Sequence, residues 1–399
     1  MRLLIPLFSP ATGTWGGLTR VLAIAQASES AGHQTAFIAS GPLADNLRKR
    51  GFPVYPAPAP TLFGLPKPIA RLLERRSQRI SLPVKSGKSV GSLGLVYLAS
   101  GLARAGYLRE EVKAEQRAVR DFHPDVLFTD LDPAAYILAR ITGLPIATAF
   151  QGAMMEGLDS LPWKMMQGAE SRILREHNLA PLPPEELHFG PDVLKIIPSI
   201  PELDGTDPGR EDVRYVGHLL GEIDKLSQSG FVPAEGHRYV FVYMGTGSVS
   251  LDRLEKVLPE VFPAGGKTIC LVGAQSIEQF YRLGAVEFRP YIPASSVLPF
   301  CDWTLCHGGQ NTIIQSLREG VPLLIFPGPI FERRINAKKV QMTGSGLMGE
   351  IDQFTPGWLR NALSQQAGCT LRAAALSGRI CSYGGPDAAV AAIHSLVAQ

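Results

Sequence analysis

The chain has 399 residues, 45% of them hydrophobic and 19% charged, which excludes a disordered or fibrous protein. Its length predicts two domains of roughly 200 residues each. Lysine and arginine number 39 against 36 acids, a formal net charge of +3, too small a surplus for a dedicated nucleic-acid binder, whose affinity rests on many phosphate contacts. Five cysteines (Cys270, Cys301, Cys306, Cys369, Cys381) stand without paired metal spacing and read as free thiols of a reducing compartment.

The apolar run at 2–8 is too short for a signal peptide and reads as a strand. A loop rich in Gly, Thr and Ser at 9–17 follows, then a helix carried by Leu18, Val21, Leu22, Ile24 and Ala25. Gly32 and His33 end that helix before the strand at 35–39. Strand, tight loop, helix, strand is a βαβ unit and implies a parallel sheet. The unit recurs with Asp125 to Thr129 as strand, Pro133 to Ile141 as helix, Gly143 as its stop and 145–149 as strand.

Residues 56–90 break the pattern with Pro56, Pro58, Pro60, Pro66 and Pro68, and seven basic residues from Lys67 to Lys88 face the single acid Glu74. A solvated basic helix is the plain reading. An acceptor-side surface for anionic or membrane-associated molecules is the functional one, which makes 64–106 a candidate for peripheral membrane contact. Leu93 to Leu108 is interrupted by Ser100 and Arg104 and falls short of the ~20 residues a span needs, so a soluble cytoplasmic protein is expected.

Gly and Pro punctuate 217–237, where a linker is expected. Strands resume at 239–244, 268–272, 302–305 and 322–326. The predicted organisation is an N-terminal Rossmann-like domain at 1–217, a linker at 218–236, a second Rossmann-like domain at 237–385 and a closing amphipathic helix at 386–399. The fold class is α/β, two doubly wound domains facing a central cleft.

Ligands of open parallel sheets sit beyond the carboxyl ends of strands. The richest such stretch ends a strand at Cys306, continues through His307, Gly308 and Gly309, and starts a helix near Gln310 to Thr312. Exposed N–H groups and the positive end of the helix dipole make an anion site, for which a diphosphate is the natural occupant. His307, Asn311 and Thr312 add side-chain donors.

His307-Gly308-Gly309-Gln310-Asn311-Thr312, then Glu319-Gly320-Val321-Pro322, Pro327 and Asn336-Ala337, resembles the donor signature of the UDP-glycosyltransferase superfamily, inverting nucleotide-sugar transferases of the GT-B fold. Tyr291-Ile292-Pro293, Gly245-Thr246-Gly247 and Tyr215-Val216-Gly217 match further elements in order. The resemblance implies that Tyr291 and Ile292 pack on the nucleobase, that His307, Gly309, Asn311 and Thr312 hold the diphosphate, and that Gly245 and Thr246 close over it. It further implies a metal-independent hexosyltransferase moving a sugar from a UDP- or dTDP-sugar to a small-molecule or lipid acceptor, as in natural-product glycosylation. The nucleotide sugar is a co-substrate, and no cofactor is expected.

Three departures qualify this. The family's ribose-binding Glu is Gln315, which leaves a dTDP donor open. Its Asp-Gln pair on the sugar hydroxyls is Glu332-Arg333, which suggests a modified, acidic or deoxy sugar. Its Gly-His pair, whose His is the general base, falls on Gly16-Gly17. Either another group takes the proton or the acceptor is acidic already. Asp130 and Asp132, just past a strand, are the candidate bases, with capping of the Pro133 helix as the alternative for Asp132. Asp130-Leu131-Asp132 also spells a metal-binding triplet, which is common by chance. His33 and His218 read as structural, Cys306 as core, and Trp163, Met154, Met155, Met165 and Met166 as either helix core or acceptor-pocket lining. The rival functions are another GT-B enzyme, an epimerase or retaining transferase, and a catalytically silent auxiliary homologue.

Overall fold

The computed structural model describes residues 1–8, 15–66, 68–70, 89, 91–220, 231–245, 248–274 and 276–397. Thr246, Gly247, the loop at 9–14, most of the basic run and the middle of the linker lie outside the described residues. Two seven-stranded sheets organise the rest. The first comprises β1 (Arg2–Pro6), β2 (Gln34–Ala39), β3 (Val54–Pro56), β4 (Val126–Thr129), β5 (Ile146–Ala149), β6 (Val193–Ile197) and β7 (Val213–Tyr215), in the order β3-β2-β1-β4-β5-β6-β7. Every pairing in it is parallel.

The second comprises β8 (Arg238–Tyr243), β9 (Thr268–Gly273), β10 (Tyr281–Leu283), β11 (Val286–Arg289), β12 (Cys301–Cys306), β13 (Leu323–Ile325) and β14 (Gly346–Met348). Its order is β10-β11-β9-β8-β12-β13-β14, parallel except for the β10–β11 hairpin. Helices cover both faces of each sheet, which is why central strands such as β1, with Leu3, Leu4 and Ile5 wholly buried, read as unbroken apolar runs. The doubly wound architecture predicted from the sequence is the one observed.

Strand β6 escaped the sequence reading because Lys195 interrupts its apolar run. That lysine is nevertheless buried, with Nζ donating to Asp212 and, at 2.9 Å, to the Val193 carbonyl. The short edge strands β3, β10 and β14, and β11 beside β10, carried no pattern long enough to read.

The chain leaves the first domain and re-enters it at one crossing. Gly217 adopts a φ of +74°, and a Cβ there would lie 2.1 Å from the Ile380 carbonyl oxygen. The returning Gly385 donates its N–H to the Val216 carbonyl at 2.9 Å, and a Cβ on it would lie 2.8 Å from the His218 ring. Beyond the crossing, the helix Gly385–Ser395 buries Ala389, Val390 and Ile393 against Leu3, Ile5 and Val21, so the last helix completes the N-terminal core. His218 packs at the crossing, where burial and then Arg318 push its pKa down to about 4.

Candidate functional site

Each sheet reverses its strand order at one point, between β1 and β4 in the first and between β8 and β12 in the second. Such a reversal leaves a crevice beyond the carboxyl ends of the strands. Gly16 and Gly17, in the first turn of the helix Trp15–Ser30, and Asp130 to Asp132 stand there in the first domain, and Gly245 and His307 to Gln310 in the second. The two crevices face each other. Arg20 Nη1 of the first domain donates to Asn311 Oδ1 of the second at 3.3 Å, and Gln151 Nε2 donates to Gln310 Oε1.

In the second domain, the helix Gln310–Arg318 starts directly after β12 with Gly309 as its N-cap. Ser316 Oγ ties it back to the strand, lying 2.7 Å from the Thr304 hydroxyl and donating to the Val321 carbonyl at 3.0 Å. Its first turn carries Asn311 and the buried Thr312, and the positive end of the helix dipole lies at this turn. His307 sits at the mouth, 9% exposed, between two glycines. A Cβ at Gly245 or at Gly309 would come within 2.7 Å of the imidazole ring, so any side chain there would displace it. Gly308 takes a φ of +88°, and its Cβ would press on the Arg333 carbonyl oxygen at 2.9 Å. Asn336 Nδ2 donates to the Gly308 carbonyl at 3.1 Å and fixes the turn.

Burial, reinforced by the Arg333 charge, pushes the His307 pKa down to about 4, so the ring is neutral near pH 7. Nδ1 lies 3.4 Å from the Tyr243 carbonyl. A carbonyl only accepts, so the ring's single proton belongs on Nδ1 in this geometry and Nε2 keeps its lone pair. Donation from Nε2 to an oxyanion therefore requires a second proton or a tautomer change, a condition the sequence did not reveal.

Glu332 and Arg333 open the helix Phe331–Thr343. Burial raises the Glu332 pKa, while the Arg20 and Arg333 charges pull it down and Asp130 adds to the rise, so this carboxyl lies within electrostatic reach of both domains. Gln315 lies partly exposed on the helix after Gly309.

In the first domain Asp130, the candidate base, is paired with Arg20. Its carboxylate is buried and held bidentately by Arg20, with Nε to Oδ2 and Nη2 to Oδ1 both at 3.1 Å. Both of its oxygens are thus already engaged by a guanidinium. Gly17 stands directly against it, since a Cβ there would lie 3.1 Å from Asp130 Oδ2. Asp132 caps the helix Pro133–Thr142, accepting from the Ala134 N–H at 3.0 Å. Burial lifts its pKa to about 7 against the pull of the Ala134 and Ala135 N–H groups. The capping alternative is thus the observed structure. Leu131, at a φ of +69°, turns the two carboxylates onto different partners, so the triplet does not converge on one point. Among the described residues no group of three or more His, Cys, Asp and Glu side chains is placed to hold a metal ion.

Other expectations divide. Tyr291 is exposed, whereas Ile292 is 5% exposed and packs with Phe241 and Leu271, so its side chain belongs to the core. Trp163 and Met166 are core. Met155 lines a cavity of about 220 Å³ with Phe150, Phe189 and Thr206. Cys306 is buried and its pKa is pushed up to about 12 by that burial, so it is no nucleophile. Sequence reasoning missed Arg20, Gln151 and Gln310. The signal for Arg20 was present, as a charge on the apolar stripe of Leu18, Val21 and Leu22.

Residues 257–394 match the family model described as erythromycin biosynthesis protein CIII-like, C-terminal domain. Elloramycin glycosyltransferase ElmGT of Streptomyces olivaceus is 28% identical over 260 residues, which is 63% of this chain and 63% of that protein. The chain thus spans less than two thirds of that relative's length. The solved glycotransferase of kitacinnamycin superposes with a TM-score of 0.74 at 18% identity over 99% of this chain and 98% of that one. The spinosyn rhamnosyltransferase SpnG, solved in complex with thymidine diphosphate, does so with a TM-score of 0.68 at 17% identity over 99% of this chain and 100% of that one.

Proposed function

We propose that this chain, which belongs to the UDP-glycosyltransferase superfamily and has its GT-B fold, is a glycosyltransferase that uses a nucleoside-diphosphate sugar to glycosylate a small natural-product acceptor. The observation that carries the reading is the helix amino terminus at Gly309 to Thr312, built at the switch point with glycines where any Cβ would strike His307. Thymidine diphosphate in the SpnG complex, together with an uncharged Gln315 at the ribose position, favours a dTDP-sugar over a UDP-sugar. The diphosphate lies on the N–H groups of the first helical turn with Asn311 and Thr312. Glu332 and Arg333 meet the sugar, and Tyr291 offers its exposed ring to the base. Transfer proceeds with inversion and without a metal, the charge of the departing diphosphate being met by fixed donors.

A panel of dTDP-, UDP- and GDP-sugars, read as thermal stabilisation, tests the reading, because a ligand that binds only the folded state raises the melting temperature. A dTDP- or UDP-sugar is expected to give the largest shift, and a panel without any shift overturns the reading. With the ring's proton moved to Nε2 when the diphosphate binds, His307→Ala is expected to lower turnover about 100-fold while leaving the fold intact. The Asp130–Arg20 pair and the capping contact of Asp132 favour one alternative, an auxiliary homologue without turnover. Donor binding with no transfer to any acceptor would establish it.

A further inference from the structure

We infer that Arg20 is the N-terminal domain's contact to the donor diphosphate, a cation that reaches across the cleft and is aimed by Asp130. The inference rests on the donor site proposed above.

Arg20 lies in the largely apolar helix Trp15–Ser30 and is 8% exposed, so its burial needs an anionic partner. Asp130 is that partner, with Nε and Nη2 gripping both carboxylate oxygens at 3.1 Å. The grip fixes the plane of the guanidinium and directs Nη1 out of the first domain, where it meets Asn311 Oδ1 at 3.3 Å on the first turn of the helix that receives the diphosphate. A guanidinium has five N–H groups, and these contacts engage three of them. The terminal nitrogens therefore keep donors for a phosphate oxygen arriving beside Asn311, in the forked geometry that suits arginine.

Gly17 completes the arrangement. A histidine or any larger residue there would press on Asp130 Oδ2, which a Cβ would approach to 3.1 Å. Its absence leaves a gap of about 40 Å³ bounded by Phe8, Gly17, Arg20, Asp130 and Leu131. The acceptor oxygen enters this gap and bonds to the anomeric carbon as the bond to the diphosphate oxygen breaks. The electron pair stays on the diphosphate, whose charge Arg20 meets, and the acceptor proton passes to water. Asp130 is a positioning residue in this scheme and takes no proton.

Calorimetric affinities of a nucleoside diphosphate and the matching monophosphate separate the possibilities. The enzymes compared are the wild type, R20K, R20Q, D130N and the double variant R20Q/D130N, which removes both buried charges and so leaves neither unpaired. R20Q and the double variant are expected to lose about tenfold in diphosphate affinity with little change for the monophosphate, and R20K to recover part of it. D130N is expected to lower kcat several-fold without removing a limb of its pH profile. A diphosphate-to-monophosphate ratio that stays at the wild-type value in the double variant overturns the role of Arg20. A pH limb that disappears in D130N makes Asp130 the base and overturns it as well. A wild type that binds no nucleoside diphosphate overturns this inference together with the reading on which it rests.

Discussion

Single side chains at the mouth of the cleft are fixed by what surrounds them. Gly309 is required by contact, since a Cβ there would sit 2.7 Å from His307 Nε2. Gly309→Ala is expected to weaken nucleotide binding at least tenfold while shifting the melting temperature little, which calorimetry and thermal melting together measure. Asp132 carries a pH signature. Its folded pKa of about 7 lies above the ordinary carboxylate value because of burial, so the protein gains nothing from ionising it. The folded state holds this proton more tightly than the unfolded chain, and its stabilising contribution is complete below the unfolded pKa and is lost as pH rises toward and through 7. Glu111 and Glu115, buried within electrostatic reach of Asp132, are raised in the same direction. Asp132→Asn keeps a capping side chain and is expected to flatten this decline, melting higher than the wild type at pH 8 and level with it near pH 4.

At the level of elements, two features repay attention because their cost is local and measurable. Strand β6 tolerates a lysine in a buried run only because Asp212 neutralises it. Asp212→Ala leaves the ammonium without its counter-ion and is expected to cost about 3 kcal/mol, read by denaturant titration. The crossing at Gly217 has no room for a side chain and uses a left-handed backbone conformation, so Gly217→Ala forces the chain away from the Ile380 carbonyl. The expected loss is about 2 kcal/mol or more, visible as a lower denaturation midpoint with an unchanged slope.

For the whole molecule, the returning helix makes the two domains interdependent. Ala389, Val390 and Ile393 belong to the core around β1, although they lie at the far end of the sequence. Truncation after residue 383 is therefore expected to expose apolar surface of the first domain, even though every strand of both sheets is retained. The variant should melt several degrees lower and bind a hydrophobic dye. The cleft itself exists only because two separately wound sheets present their switch points to each other, with Arg20 and Gln151 reaching Asn311 and Gln310 across it.

The amino-acid sequence determined by itself the alternation of strands and helices, the two-domain division and the glycine-rich turn after Cys306, because each is written in a short contiguous pattern: an apolar run, a helical spacing, a pair of glycines before a helix. It also displayed Gly16-Gly17 where the resemblance implied a Gly-His pair. What Asp130 does was decided only by tertiary structure, since its partner Arg20 lies 110 residues away and nothing local links them. The same holds for His307, whose charge state follows from burial and from Arg333, and for Ile292, whose side chain turns inward against β8 and β9. Local patterns specify elements because backbone preferences are local, whereas pairing, burial and pKa arise from groups that meet only when the chain has folded.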